Sequence, residues 1–273
     1  MESLILPDGR PVQLWLGGAD TGPVVLFFHG TPDTRWAARS GEEAAREVGV
    51  RLLCVNRPGY GLSARADSTY STAADDAAAV LDLLGIREVA ALGMSVGGGY
   101  AATFVVRHPG RTTALGVVAT LPMSGTPPEG TVEDAMERAR PEFEAWVARV
   151  HPDDPDDAAL ARRWAAALPD RDAALVRGMP VDEVAASIRE ALADHHGYLR
   201  DAALLCRPWG VDVASVSCPV HLWYGERDGR ALPGAAWFAE RVPHAEVVVR
   251  PGSTHLATLL EHWPEILADL TRG

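Results

Sequence analysis

Apolar residues recur along this chain in two alternating rhythms. Apolar runs at residues 23–28, 51–55, 88–92 and 113–119, the first unbroken and the others opened by one polar residue, have the length and composition of strands covered on both faces. Between them, residues 35–48, 71–84 and 96–107 carry apolar positions at helical spacing. Ahead of this series, short apolar runs at 4–6 and 12–16 flank Pro7-Asp8-Gly9-Arg10, a hairpin signal. The alternation returns near the C-terminus, with strands at 220–224 and 245–249 and helices at 233–241 and 255–270. Strands alternating with helices predict an α/β fold, a doubly wound and mostly parallel sheet of about eight strands. From about 122 to 211 the rhythm is helical throughout. Pro122, Pro127, Pro128, Pro141, Pro152, Pro155, Pro169 and Pro180 divide that stretch into short pieces. The organisation expected is a core of residues 1–121 and 212–273 with an inserted helical cap of three to five helices at 122–211.

One motif sits where the rhythm turns from strand to helix. Gly93-Met94-Ser95-Val96-Gly97 follows one predicted strand directly and opens a helix. A sharp strand-to-helix turn needs glycine flanks, because nearby backbone leaves no room for a Cβ. It lifts the serine hydroxyl above the sheet edge and puts the next N–H at a helix N-terminus. A serine hydroxyl needs a base to remove its proton. His255, in Gly252-Ser253-Thr254-His255 after the last predicted strand, lies among the loops beyond the strands' carboxyl ends and is the candidate. His29 ends a strand and is read as holding the adjacent loop. His195 and His196 are neighbours that point apart on a helix, which argues against a shared metal. An acid must orient the base. Gly225-Glu226-Arg227-Asp228 offers two, and the deeper loop position favours Asp228 over Glu226. The order Ser95, Asp228, His255 is completed by a candidate oxyanion hole, the N–H of Val96 and the N–H of Thr31 in His29-Gly30-Thr31-Pro32-Asp33. Pro32 has no N–H to offer.

Composition narrows the partners. Of 273 residues, 47% are hydrophobic, ample for a buried core, and the net charge is −12. Such a chain repels a phosphate backbone and an anionic lipid surface, so neither nucleic acid nor membrane is expected as a partner. Cys54, Cys206 and Cys218 form no C-x-x-C pair and suggest neither a disulfide framework nor a zinc site. The N-terminus lacks a signal-peptide pattern, and no apolar run is long enough to span a bilayer. The expectation is a soluble cytoplasmic protein acting on a small molecule, with no metal or organic cofactor.

Four segments together carry a family resemblance: His29-Gly30-Thr31-Pro32, Asn56-Arg57-Pro58-Gly59-Tyr60-Gly61-Leu62-Ser63, Gly93-Met94-Ser95-Val96-Gly97-Gly98, and the loops of Asp228 and His255. The chain resembles the α/β-hydrolase superfamily, in the branch of small esterases, proline iminopeptidases, cofactor-free haloperoxidases and epoxide hydrolases. Asn56 departs from the Asp common at that position. Ser95 departs from the aspartate nucleophile of epoxide hydrolases and haloalkane dehalogenases, which argues against their chemistry. Thr31 and Asp33 depart from the His-Gly-Gly-Pro-Gly of proline iminopeptidases. The resemblance implies a serine hydrolase that cleaves a small apolar carboxylic ester, thioester or lactone through an acyl-enzyme. Two alternatives stay open: a non-hydrolytic cyclase or lyase of small-molecule biosynthesis using the same triad, and an iminopeptidase-like peptidase whose cap acids, such as Glu133, Glu137 or Glu144, bind an amine. By position, Met94, Thr31, Leu121 and Met123 are expected to line the pocket. The cap is expected to add apolar bulk from Phe143, Trp146, Trp164, Met179 and Trp209.

Overall fold

The structure, a computed structural model, describes residues 3–123, 126 and 128–272. Among the described residues eight strands form the sheet: β1 (Ser3–Ile5), β2 (Pro11–Gly18), β3 (Val24–Phe28), β4 (Arg51–Val55), β5 (Val89–Met94), β6 (Thr112–Val118), β7 (Val220–Gly225) and β8 (Glu246–Arg250). Their order is β1-β2-β4-β3-β5-β6-β7-β8. The β1–β2 and β2–β4 pairs are antiparallel, and every later pair is parallel.

All residues of β3 and β5 are buried. Consecutive strand residues face opposite sides. Phe27 meets Trp263 of one helix (Trp263–Thr271) at 5.4 Å, and Phe28 meets Phe104 of another (Gly97–Arg107) at 5.8 Å. Helices therefore cover both faces, which is why these strands read as unbroken apolar runs. In chain order the α-helices are α1 (Glu42–Val48), α2 (Tyr70–Leu83), α3 (Gly97–Arg107), α4 (Val132–Val150), α5 (Asp157–Ala166), α6 (Asp170–Arg177), α7 (Val181–Leu192), α8 (His195–Leu205), α9 (Pro233–Arg241), α10 (Ala257–Leu260) and α11 (Trp263–Thr271).

Three local readings of the sequence are corrected. The helix expected at 35–48 begins as a 3₁₀ segment, Arg35–Gly41, and becomes α1 only at Glu42. Gly41 lies under the Trp263 ring, where a Cβ would collide with the indole. The terminal helix is two helices, α10 and α11. Pro264 sits in the first turn of α11, and His262, the residue ahead of that helix, leaves helical geometry at φ −128° and ψ 13°. Conversely, Pro141 does not divide the chain but lies within the 19-residue α4. Its side chain is exposed, so the Glu137 carbonyl that loses its partner reaches water. A reciprocal Thr131/Asp134 capping box and the buried side chains of Met136, Phe143, Val147 and Val150 outweigh a proline penalty of about 3 kcal/mol.

The five helices α4 to α8 follow β6 and precede β7, and their buried side chains form a hydrophobic cluster of their own. Three consecutive helices of this group each send one carboxylate onto a loop of the sheet. Asp172 of α6 accepts from the Thr254 hydroxyl at 2.5 Å and the Ala257 N–H at 3.2 Å. Glu190 of α7 accepts from Trp36 Nε1 at 2.8 Å, Asn56 Nδ2 at 2.7 Å and Arg35 Nε at 3.1 Å. Asp201 of α8 takes Arg57, described below. Asn56 now has a physical reason. Its oxygen accepts the Arg35 N–H at 2.5 Å while its NH₂ donates to Glu190. An aspartate there could do the first and would repel Glu190 at the second.

Candidate active site

The carboxyl ends of β3, β5, β7 and β8 carry the loops with the chemistry. β5 ends at Met94 and α3 begins at Gly97, so two residues make the whole turn. A Cβ on Gly93 would fall on the Gly97 carbonyl, and one on Gly97 would fall on the Phe28 carbonyl. Only glycines let strand and helix approach this closely. Ser95 is left at φ 55°, a left-handed conformation that typically costs a non-glycine residue about 1–3 kcal/mol. Its N–H is tied to the Val118 carbonyl at 2.9 Å, which holds the residue in that conformation. The hydroxyl makes no hydrogen bond to another described residue.

The loop after β7 holds Asp228, and its N–H bonds back to the Gly225 carbonyl at 3.1 Å. Asp228 Oδ1 accepts from the Ala231 N–H at 3.2 Å, and Oδ2 accepts from His255 Nδ1 at 2.5 Å. Burial alone would raise this carboxyl, but the hydrogen bond and charge of His255 outweigh it and hold the group below the usual aspartate range. Glu226 is exposed and turned away, accepting the Gly252 N–H at 2.7 Å. The acid at His255 is thus Asp228, and Glu226 instead braces the loop that leads to the histidine.

The loop after β3 is held from beneath. His29 is fully buried, which drives its imidazole well below its ordinary value, so the ring is neutral. Its Nδ1 donates to the Gly30 carbonyl at 2.8 Å, and its Nε2 accepts the Arg57 N–H at 3.3 Å. Arg57 Nη1 donates to the His29 carbonyl at 2.6 Å and Nη2 to the Gly30 carbonyl at 2.7 Å. The same guanidinium pairs with Asp201 at 2.6 Å, both side chains being buried. Tyr60 and Tyr100 hydroxyls donate to the two Asp201 oxygens at 2.7 and 2.8 Å. Burial, and then the Asp201 charge, push both phenols well above their usual range, so both keep their protons. Tyr60 spends its proton on Asp201, so the Thr31 hydroxyl is the donor in its 2.5 Å contact with Tyr60. Among the described residues neither the Thr31 nor the Val96 backbone N–H has an acceptor.

Ser95, Asp228 and His255 share one cavity of about 540 Å³, together with Thr31, Val96, Met94, Leu121 and Trp164. Much of the remaining wall is apolar, including Trp36, Leu168, Val176, Met179 and Ile188. Of its charged groups, Arg39 pairs with Glu183 at 2.7 Å and Asp172 holds Thr254, while Arg230 makes no ion pair among the described residues. Asp33 also faces the cavity, and burial raises its carboxyl to about 7.

Four expected pocket residues, Met123, Phe143, Trp146 and Trp209, lie off this wall. Met123 turns its sulfur to the Trp209 N–H at 3.2 Å and packs against the main core. Phe143 stacks on Tyr198 at 3.9 Å, and Trp146 packs beside them. Tyr198 reaches the wall, so Phe143 and Trp146 of α4 form the layer behind it. Trp209 is buried against Tyr70 and Trp237. Glu133, Glu137 and Glu144 are not on the wall either; they pair with Arg200 and Arg140. The sequence reading missed Arg57, Asp201 and Asp172. A lone acid in a helical stretch carries no signal of the loop it will meet.

The chain is 29% identical to a pimeloyl-[acyl-carrier protein] methyl ester esterase of Chromobacterium violaceum, over 95% of this chain and 97% of that one. It is 31% identical to a bifunctional esterase/perhydrolase of Acinetobacter calcoaceticus, though that match covers only 44% of this chain and 43% of the relative. Among solved structures, a thermophilic esterase from Thermogutta terrifontis superposes over the full length of both chains, with a TM-score of 0.72 at 22% identity. An esterase from Exiguobacterium antarcticum gives 0.71 at 18% identity, over 100% of this chain and 99% of that one. At these identities the structural likeness concerns the fold. Among the described residues no helix is long and apolar enough to cross a membrane. The family model for the alpha/beta hydrolase fold matches residues 23–261, and the chain belongs to that family.

Proposed function

We propose that this chain is a serine hydrolase that cleaves a small apolar carboxylic ester, thioester or lactone through an acyl-enzyme. The observation that carries this reading is the 2.5 Å bond from His255 Nδ1 to Asp228, set on the wall of the cavity that also holds Ser95. Asp228 accepts the hydrogen bond of Nδ1–H, which keeps the proton on that nitrogen and leaves Nε2 as the basic one. In this reading the Ser95–His255 bond forms as substrate is engaged, as such contacts commonly tighten in the Michaelis complex. Nε2 removes the hydroxyl proton as Ser95 Oγ attacks the carbonyl carbon. The resulting oxyanion meets the free N–H groups of Thr31 and Val96. Collapse breaks the bond to the leaving oxygen or sulfur, which takes the proton from His255. A water molecule then gives its proton to His255 and attacks the acyl carbon, and Ser95 leaves with that proton restored.

The largely apolar wall supports an apolar substrate. The relative from Chromobacterium violaceum, which is named a methyl ester esterase, supports ester cleavage. We place the activity in the cytoplasm, where three unpaired cysteines stay reduced. The test is turnover of p-nitrophenyl esters of graded acyl length by the wild type and Ser95→Ala. Loss of the nucleophile is expected to lower kcat by about 10⁵–10⁶-fold. A variant that keeps a tenth of the activity would overturn the reading.

A further inference from the structure

We infer that Arg57 is a positioning residue that aims the oxyanion donor at Thr31, and that Asp201, contributed by α8, locks it in place. The inference rests on the reading of Thr31 as that donor. A trans peptide is planar, with its C=O and N–H pointing in opposite directions. The Gly30–Thr31 peptide is trans, and its two ends are the Gly30 carbonyl and the Thr31 N–H. The carbonyl is gripped by two donors, Arg57 Nη2 at 2.7 Å and His29 Nδ1 at 2.8 Å. Both come from the buried side of the loop. The N–H is thereby turned the other way, and among the described residues it meets no acceptor. Thr31 itself is on the cavity wall with Ser95.

The guanidinium does more than hold the peptide. A cation on the carbonyl oxygen draws electron density from the amide and makes its N–H a stronger donor. Arg57 also takes the His29 carbonyl, so two successive peptides are clamped by one rigid fork. The fork cannot swing, because Asp201 accepts from Nε and Nη2 and is itself held by Tyr60 and Tyr100. Tyr60 also accepts from the Thr31 hydroxyl, which fixes the side chain of the donor residue. The aim of the donor therefore depends on a carboxylate 144 residues away from Arg57, in the helical group that walls the cavity.

The test combines kinetics with structure in Arg57→Gln, Arg57→Lys and Asp201→Asn. Arg57→Gln is expected to lower kcat by about 10²-fold with KM for a short ester within about threefold of wild type, the mark of a lost transition-state contact. It is also expected to weaken binding of a trifluoromethyl ketone, whose adduct carries the oxyanion, by a similar factor. Arg57→Lys is expected to recover part of this loss, because an ammonium can reach one carbonyl but not both. Asp201→Asn keeps Arg57 and the volume of the acid, and about a tenfold fall in kcat is expected there. In a crystal structure of whichever variant folds, the Gly30–Thr31 peptide is expected to be rotated or split between orientations. An unmoved peptide with kcat within about threefold of wild type overturns the inference. An equal fall in activity and in folded fraction, with the ketone bound as tightly per folded molecule, assigns Arg57 to stability alone and also overturns it. If wild type and Ser95→Ala turn over esters alike, the hydrolase reading has failed instead, and the peptide orientation still decides the role of Arg57.

Discussion

Replacing Asp33 by asparagine should make the protein more stable in neutral solution, an unusual result for a residue on a reactive cavity. Asp33 is half-buried in the loop after β3 and faces the cavity, and burial raises its carboxyl to about 7. The Thr34 N–H, which Oδ1 accepts at 2.8 Å, and the cation of Arg57 offset only part of that burial. In the unfolded chain the group titrates near 3.8. Between these two values the folded state binds a proton that the unfolded state has released. Stability from this group is therefore complete below about pH 4 and falls as pH rises through 7. A gap of one pH unit between the folded and unfolded titrations is worth about 1.36 kcal/mol, so the wild type loses roughly 2–4 kcal/mol across that window, the smaller figure if cavity water reaches the carboxylate. Asparagine keeps the acceptor for Thr34 and carries no charge to bury. Urea unfolding of both proteins at about pH 5, 6, 7 and 8 measures the difference. The variant is expected to gain on the wild type steadily with pH, most of it between about pH 5 and 7. Parallel curves across that range would show that Asp33 ionises normally and that the argument from burial is wrong.

Three further outcomes follow from the same contacts. Asp228→Asn should lower kcat by about 10⁴-fold with little change in KM, because an amide can hold His255 in the wrong tautomer; steady-state kinetics on a short ester checks it. Phe143→Ala should destabilise the fold by about 3–5 kcal/mol in thermal or urea unfolding, yet leave KM for a short ester nearly unchanged, since the ring lies behind Tyr198. Asp172→Asn should reduce kcat more than it raises KM in the same kinetic assay, because its carboxylate holds Thr254, the neighbour of His255; an amide oxygen still accepts, so loss of the charge should cost the contact about 1 kcal/mol.

The frame of this molecule is legible in the sequence because it rests on short-range rules. The apolar runs of β3 and β5 are unbroken because Phe27 and Phe28 each meet a helix on its own side of the sheet. Gly93 and Gly97 mark a turn that no Cβ would fit. Elements with competing local signals are harder. Pro141 reads as a break, yet the buried side of α4 outweighs it; Thr131 and Asp134, the cap of that helix, are the signal to weigh against it. Residues whose purpose lies across the fold are not legible at all. Phe143 and Trp146 have the composition of a pocket wall, and which face of α4 meets α8 is settled only by packing. Asp201 is one of 37 acidic residues, and nothing local distinguishes it from a solvated one. Its partner Arg57 lies within the loop from Asn56 to Ser63, but its hold on the Gly30 carbonyl appears only once the two loops are brought together.

The central claim is that Ser95 is a nucleophile activated by His255 and Asp228. Intact-mass spectrometry of the folded protein after treatment with a fluorophosphonate tests it most directly. A single adduct is expected, mapping to Ser95, absent in Ser95→Ala and strongly slowed in His255→Ala. No adduct on folded wild type, or equal labelling of Ser95→Ala, would contradict it.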